Sequence, residues 1–376
     1  VRRLTIDPRP NWQKRVEEYG LHYHTLGGEP YWDETACYQI SRYEIDTLEL
    51  ATQNLHEMCL DLVQHVIDQR LFGLFLIPQE YEEMVIRSWE EDDPSVYGRF
   101  DLAYDGVGPP KMMEYNADTP TALVEAAVAQ WTWLKDHDER GDQFNSIHER
   151  LIEAWQGLRE RDNRPLHFAT YGDSLEDWIT TEYMRDTAIQ AGFNTAYIDI
   201  REIGFDRNRK TFVDKAGHPI YRLFKLYPWE WIVREDFGVH VRNAPTKWVE
   251  PPWKMILSCK SILPLLYERN PESPYLLPSS FAPLPTGSYV RKPVHAREGA
   301  NIQVMIDGKL VHETDGPYEA GPYVYQAIAP LKPHDGRYPV VGSWIVNGVA
   351  CGVGIREGDG LITTNTSRFV PHQMTD

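Results

Sequence analysis

The sequence predicts an α/β protein of three successive parts: a helical region carrying one β-hairpin (residues 1–160), a small βαβ unit (161–250) and a β-rich region (251–376). Three observations predict it. A capped amphipathic stripe follows Ser41, a strand–helix–strand pattern fills residues 165–200, and strand runs separated by turn residues dominate after residue 289. At roughly 150 residues per domain, 376 residues hold two or three domains and bury a sizeable core.

The first element is a helix. Ser41 and Glu44 fit a capping box, and Leu48, Ala51, Leu55, Cys59, Leu62 and Val66 recur at three- and four-residue spacing. His56-Glu57 starts an H-E-x-x-H pattern, but Leu60 occupies the second histidine's place, so no zinc site is expected there. Residues 99–103 and 111–116 then read as two strands across the turn chemistry of Asp105, Gly106, Gly108, Pro109 and Pro110. Asp118-Thr119-Pro120 predicts a helix start, with Thr119 as cap and Pro120 at the first helical position, continuing through Leu123, Ala127, Trp131 and Leu134.

Residues 165–171 and 194–200 read as strands flanking a helix over 175–190 that Gly192 stops, which is one βαβ unit. Pro245, Pro251 and Pro252 mark the boundary before the last region. There, residues 253–267 have helical spacing and carry Lys260. Strands are expected at 289–294, 302–306 and 323–328, with Asp307-Gly308 as a tight turn, and a final hairpin joins 340–346 to 349–356 across Asn347-Gly348. The first hairpin is expected to join the sheet of this region.

Composition narrows the function. Lys+Arg 38 against Asp+Glu 56 gives a net charge of −18, which repels nucleic-acid phosphates and anionic lipid and attracts small cations. The four cysteines lack C-x-x-C spacing and are expected as reduced thiols. With no signal-peptide pattern and no run of about 18 apolar residues, a soluble, cytoplasmic protein is expected, with neither nucleic acid nor membrane as a partner.

The strongest chemical signal is the first hairpin. Residues two apart share a face, so Arg99 with Asp101 and Glu114 with Asn116 project together, and symmetric pairing about the turn sets Asp101 opposite Glu114. Like charges directly opposite cost about 0.2 to 1 kcal/mol, whereas converging Asp, Glu and Asn oxygens suit a hard divalent cation such as Mg²⁺. The competing reading is a solvated strand face with Arg99 screening the acids. Next, Asp118, Thr119 and Thr121 stand where a helix N-terminus favours an anion, or where they serve as ordinary caps. Lys260, Lys292, Arg297 and Arg356 are cations that suggest a bound polyanion in an acidic protein. The loop 297–301 either folds over phosphates or is a plain surface loop; with few apolar anchors it is expected to be mobile until a ligand binds.

The runs DLAYDG (101–106), MEYNADTPT (113–121), LFKLYPWE (223–230), GVGIREGDGLIT (352–363) and NTSRF (365–369) resemble the glutathionylspermidine synthase family of ATP-grasp ligases, over nearly the whole chain. The resemblance implies an α/β fold of ATP-grasp type and an acid–amine ligase that uses ATP and Mg²⁺ to join a peptide-like carboxylate to a polyamine or other amine through an acyl phosphate. By motif it makes Asp101, Glu114 and Asn116 the metal ligands and Arg356 the catalytic arginine. Arg99, Thr119 and Thr121 would face the acid and the transferred phosphate, with Glu176 and Asp177 as acidic substrate contacts. Lys260 and Lys292 match the nucleotide-phosphate lysines, and Arg297, Glu298, Gly299 and Ala300 the phosphate-covering loop. Gln326, Ala327, Ile328 and Ala329 match the adenine-side linker, and Leu361, Ile362 and Thr363 a further nucleotide contact. Nothing here is Cys/His-rich enough for the amidase domain of the bifunctional members, so a synthetase without it is expected. Cys259 stands where the family has Asn, leaving the substrates open.

Two other functions fit parts of this pattern. A glycoside hydrolase would use Asp101 and Glu114 as its acid and nucleophile and stack sugars on some of the 12 Trp and 21 Tyr, but it leaves the Lys and Arg set unexplained. A non-catalytic ATP-binding relative would keep every position and lack turnover.

Overall fold

The structure, a computed structural model, describes residues 1–318, 321–364 and 367–376. Asn365 and Thr366 of the NTSRF run lie outside the described residues. The site is organised by a five-stranded antiparallel sheet in the order Arg368–Val370, Val349–Gly358, Tyr338–Val346, Tyr97–Ala103, Lys111–Asn116. The expected first hairpin therefore does extend the C-terminal sheet, as its edge pair. Its register is the symmetric one, Asp101 opposite Glu114 and Arg99 opposite Asn116, with an irregularity after Asp101.

Register across the sheet explains which side chains meet. Gly342 pairs with both Asp101 and Gly354, and Val340 pairs with Arg356, so Arg356 lies diagonally across from Asp101 on the same face. Gly342 keeps that face low: a Cβ there would stand 2.8 Å from the Arg99 side chain. The opposite face packs on the helix Arg42–Asp68, whose capping box at Ser41 forms and whose stripe from Leu48 to Val66 is fully buried. Thr52 on this helix hydrogen-bonds Ser343 on the sheet at 2.6 Å.

A four-stranded parallel sheet, Lys247–Val249, Arg222–Leu226, Leu166–Thr170, Thr195–Asp199, contains the βαβ unit, with its crossover helix over Leu175–Gln190. A second five-stranded antiparallel sheet runs Ser279–Ser280, Tyr323–Gln326, Tyr289–Pro293, Gln303–Ile306, Lys309–Glu313. Left-handed backbone at Asn347 and Gly348, and at Asp307 and Gly308, makes the two expected tight turns. The strand Ala36–Ser41 pairs with Arg2–Thr5 and with His372–Thr375, tying the two ends of the chain together. All four cysteines are buried and unpaired. Among the described residues no helix is long and apolar enough to cross a membrane.

Two local expectations are corrected. Helical bonding after the first hairpin begins at Leu123, not Pro120, and runs as a π-helix over Glu125–Ala129 before Gln130–His137. Ala122 adopts left-handed backbone (φ 64°), and Asp118 is engaged by Lys225 and the Trp229 N–H, so Thr119 belongs to a loop and caps nothing. The expected helix over 253–267 is two short ones, Lys254–Leu257 and Ile262–Arg269. Lys260 lies in the turn between them, held by its N–H on the Val294 carbonyl.

Candidate active site

The edge hairpin and the final hairpin bring five of the expected residues together. Arg99 Nε donates to Asp101 Oδ1 at 2.7 Å, Arg356 Nη2 to Asp101 Oδ2 at 2.8 Å, and Asn116 Nδ2 lies 3.3 Å from Asp101 Oδ2 and 3.5 Å from Glu114 Oε1. Lys260 Nζ sits 3.0 Å from Glu114 Oε2. Lys292, at the end of Tyr289–Pro293, donates to Gln326 Oε1 at 2.8 Å and to the Met113 carbonyl at 3.0 Å. Two carboxylates, two amides and four cations thus share one small volume.

The charges answer one another. Burial opposes ionisation of Glu114, but Lys260 and Lys292 override it and hold its carboxyl well below the usual carboxylate range. Burial pushes the Lys292 ammonium down to about 8 against the attraction of Glu114. A cation drawn here would find two carboxylates and an amide; no group of three or more His, Cys, Asp or Glu converges among the described residues. That donor set fits Mg²⁺, which takes one or two carboxylates when phosphates and water complete its octahedron.

From this cluster a cleft opens between the two antiparallel sheets. Asp101, Glu114, Lys260 and Lys292 line one end, Val290, Ile302 and Val340 give apolar walls, and Gln326, Ala327, Ile328 and Ala329 line it as one segment. Leu361, Ile362 and Thr363 close the rim together with Gly299. Gly299 has φ 72° and a Cβ there would stand 2.5 Å from the Thr363 carbonyl oxygen, so only glycine lets the loop lie this close to residue 363.

The loop 297–301 distributes its residues in different directions. Arg297 donates from Nε and Nη2 to Glu230 Oε1 at 3.0 and 2.6 Å, and from Nη1 to Thr119 Oγ1 at 2.8 Å. Gly299 faces the cleft, Ala300 packs toward Gly316, and Glu298 is exposed; burial pushes the carboxyls of Glu176 and Asp177 up, with the charge of Glu298 adding to it. A second, small cleft shares Lys260 and Ala296 with the first and adds Asn116, Thr119, Glu230 and Arg297. Thr121 offers its carbonyl to Arg99 Nη1 at 2.6 Å and its hydroxyl to Glu176. Glu176 and Asp177 form the first turn of Leu175–Gln190, beside this group.

Sequence reasoning left several members of the site without a role. Glu230 closes the LFKLYPWE run and receives Arg297, while Lys225 of the same run forms a fully buried pair with Asp118 at 2.6 Å. Tyr31, which donates to Glu125 Oε1 at 2.7 Å, carries no local mark that sets it apart from core residues. A charged residue in the apolar stripe following Leu123 was the available signal for Glu125.

The glutathionylspermidine synthase preATP-grasp family model matches residues 3–375. The chain belongs to the glutathionylspermidine synthase family. It is 39% identical to a Haemophilus influenzae protein provisionally named acid–amine ligase, over 99% of both chains. It is 28% identical to trypanothione synthetase of Crithidia fasciculata and 27% identical to the bifunctional glutathionylspermidine synthetase/amidase of Escherichia coli. These matches take in 95% and 89% of this chain but 57% and 58% of those longer relatives. A solved glutathione synthetase-like effector from Globodera pallida shares the fold alone, with a TM-score of 0.56 at 10% identity over 98% of this chain and all of the other. Family membership makes the chain an ATP-dependent carbon–nitrogen ligase, which removes the glycoside-hydrolase reading of Asp101 and Glu114.

Proposed function

We propose that the enzyme joins the carboxylate of a peptide-like small molecule to an amine, driven by ATP with Mg²⁺, through an acyl phosphate. The observation that carries this reading is the meeting of the Asp101–Glu114–Asn116 set with Arg356, Lys260 and Lys292 at one end of the cleft between the two antiparallel sheets. In this reading residues 1–160 supply the metal-binding hairpin, 161–250 the substrate side and 251–376 the nucleotide side.

Asp101, Glu114 and Asn116 would hold Mg²⁺, which when bound neutralises phosphate charge and orients the transferred group. Lys260 and Lys292 screen the remaining phosphate charge, and the segment 326–329 with Leu361 lines the place of the base. Arg99 and Thr119 orient the acid so that its carboxylate oxygen bonds to the γ-phosphorus while the β–γ bridging bond breaks and ADP departs. The amine nitrogen then bonds to the acyl carbon, phosphate leaves with the electrons of the carbon–oxygen bond, and the nitrogen gives up a proton. Arg356 stabilises the phosphoryl oxygens, and the loop 297–301 keeps water from the acyl phosphate.

The test is phosphate release that requires ATP, an acid and an amine together, screened over peptide-like acids and polyamines. No release with any pair, alongside normal nucleotide binding, marks a non-catalytic relative. Glu114→Gln is expected to abolish the Mg²⁺-dependent part of the thermal stabilisation by ATP, and an undiminished shift would remove Glu114 from the metal set. Amide exchange over residues 297–301 is expected to slow when ATP and Mg²⁺ are added. Equal exchange with and without nucleotide would count against a closing loop.

A further inference from the structure

Glu230 is a buried carboxylate that two basic side chains approach at a single oxygen. Arg297 donates to Oε1 from Nε and Nη2 at 3.0 and 2.6 Å, and His295 Nδ1 lies 4.0 Å from the same atom. The other ring nitrogen of His295, Nε2, is 3.3 Å from the Phe75 carbonyl oxygen. A carbonyl oxygen only accepts, so Nε2 carries the hydrogen and Nδ1 is left to gain or lose the second proton. Glu230, His295 and Arg297 line the small second cleft together with Thr119 and Lys260.

Nucleotide binding sets these groups in conflict. The Arg297 guanidinium is tied at all three nitrogens, to Glu230 by Nε and Nη2 and to Thr119 by Nη1, so turning it to a phosphate frees the Glu230 carboxylate. A buried carboxylate stripped of its cation is strongly unfavourable unless another takes its place. Lys260 is already engaged by Glu114 and the Ala296 carbonyl. Burial opposes ionisation of Glu230, and Arg297 first and His295 second override it and hold its carboxyl below the usual range. Burial pulls the His295 imidazole down, Glu230 pulls it up, and Arg234 and Arg297 push it down again. With the Arg297 charge turned away, Glu230 acts on the ring against less opposition.

We propose that Arg297 and His295 are alternating counter-ions of Glu230: Arg297 holds the carboxylate while the site is free of nucleotide, and His295, taking a proton from solvent on Nδ1, holds it once Arg297 turns to the phosphates. The inference rests on the ligase reading for the identity of that ligand. Glu230 and His295 are positioning residues, acting through Arg297.

The probe is the ATP analogue AMP-PNP with Mg²⁺, titrated by calorimetry in two buffers of different ionisation enthalpy. At about pH 6.5 the wild type is expected to take up about half a proton or more per nucleotide beyond His295→Gln, an excess that vanishes by about pH 9. Glutamine keeps a donor for the Phe75 carbonyl but cannot charge, and proton uptake elsewhere in the site is common to both proteins and cancels in the difference. The nucleotide-bound form holds the extra proton, so raising the pH from 6.5 to 8.5 should weaken binding to the wild type by up to about tenfold relative to the variant. Glu230→Gln removes the charge that the proton answers. It is expected to lose the excess uptake with His295 intact, and to bind nucleotide more tightly because Arg297 is no longer held. Equal proton counts in the wild type and His295→Gln, or the full excess persisting in Glu230→Gln, would overturn the proposal, and each variant decides alone should the other not fold. The ligase reading is judged separately, by phosphate release with acid and amine, so either can fail while the other stands.

Discussion

Arg356→Lys is expected to lower turnover by about 10²-fold or more while leaving ATP affinity within about threefold of wild type. Arg356 stands at the end of the final hairpin, opposite Val340, and one nitrogen, Nη2, is engaged by Asp101 Oδ2. A guanidinium can keep that bond and still direct a second N–H at a phosphoryl oxygen, whereas an ammonium offers a single point of charge. In the proposed mechanism the ground-state attraction to nucleotide survives the substitution because the charge survives, with Lys260 and Lys292 carrying most of it. The loss therefore falls on the transition state, where charge on the transferred group must be met without rearrangement. Turnover, nucleotide affinity and melting temperature on this one variant separate the roles. A lowered melting temperature with turnover nearly intact would make Arg356 a structural partner of Asp101.

What was legible in the sequence is what local rules control. The strand runs and turn residues locate the first hairpin, but beside the turn Leu102 pairs with Met112 and Ala103 with Lys111, and the irregularity after Asp101 is what brings Asp101 opposite Glu114. The helix stripe from Leu48 to Val66 and the crossover helix at 175–190 follow from periodicity and capping. The errors fell where tertiary contacts outweigh local preference. Asp118 and Thr119 look like caps, but a buried lysine 107 residues away takes the carboxylate and the cap with it. Lys260 falls within a helical pattern, but its N–H pairs with Val294 and the helix breaks. The bonds of Arg297 to Glu230 and of Tyr31 to Glu125 span 67 and 94 residues, so no spacing rule could place them. Motif resemblance named many of the residues around the cleft, and the structure adds the partners that hold them.

The scaffold under the site makes the remaining large effect. Lys225→Met is expected to destabilise the protein by about 3 to 5 kcal/mol, because it leaves the Asp118 carboxylate buried without its counter-charge. Both side chains are fully inaccessible, Lys225 Nζ lies 2.6 Å from Asp118 Oδ1, and Oδ2 accepts the Trp229 N–H at 2.9 Å. Burial pulls the Lys225 ammonium downward, and Asp118 opposes that most strongly. The pair fastens the 117–122 loop to the end of the Arg222–Leu226 strand, and so sets Thr119 where Arg297 reaches it. Replacing both partners by apolar residues, Lys225→Met with Asp118→Leu, is expected to restore at least half of the lost stability, since no charge is then left unpaired. Turnover should stay low in the double variant, because the Trp229 N–H loses its acceptor and the loop its anchor. Denaturant midpoints for the two variants read the first effect and ATP turnover reads the second. A single variant as stable as wild type would show that Asp118 finds another cation or is neutral when buried.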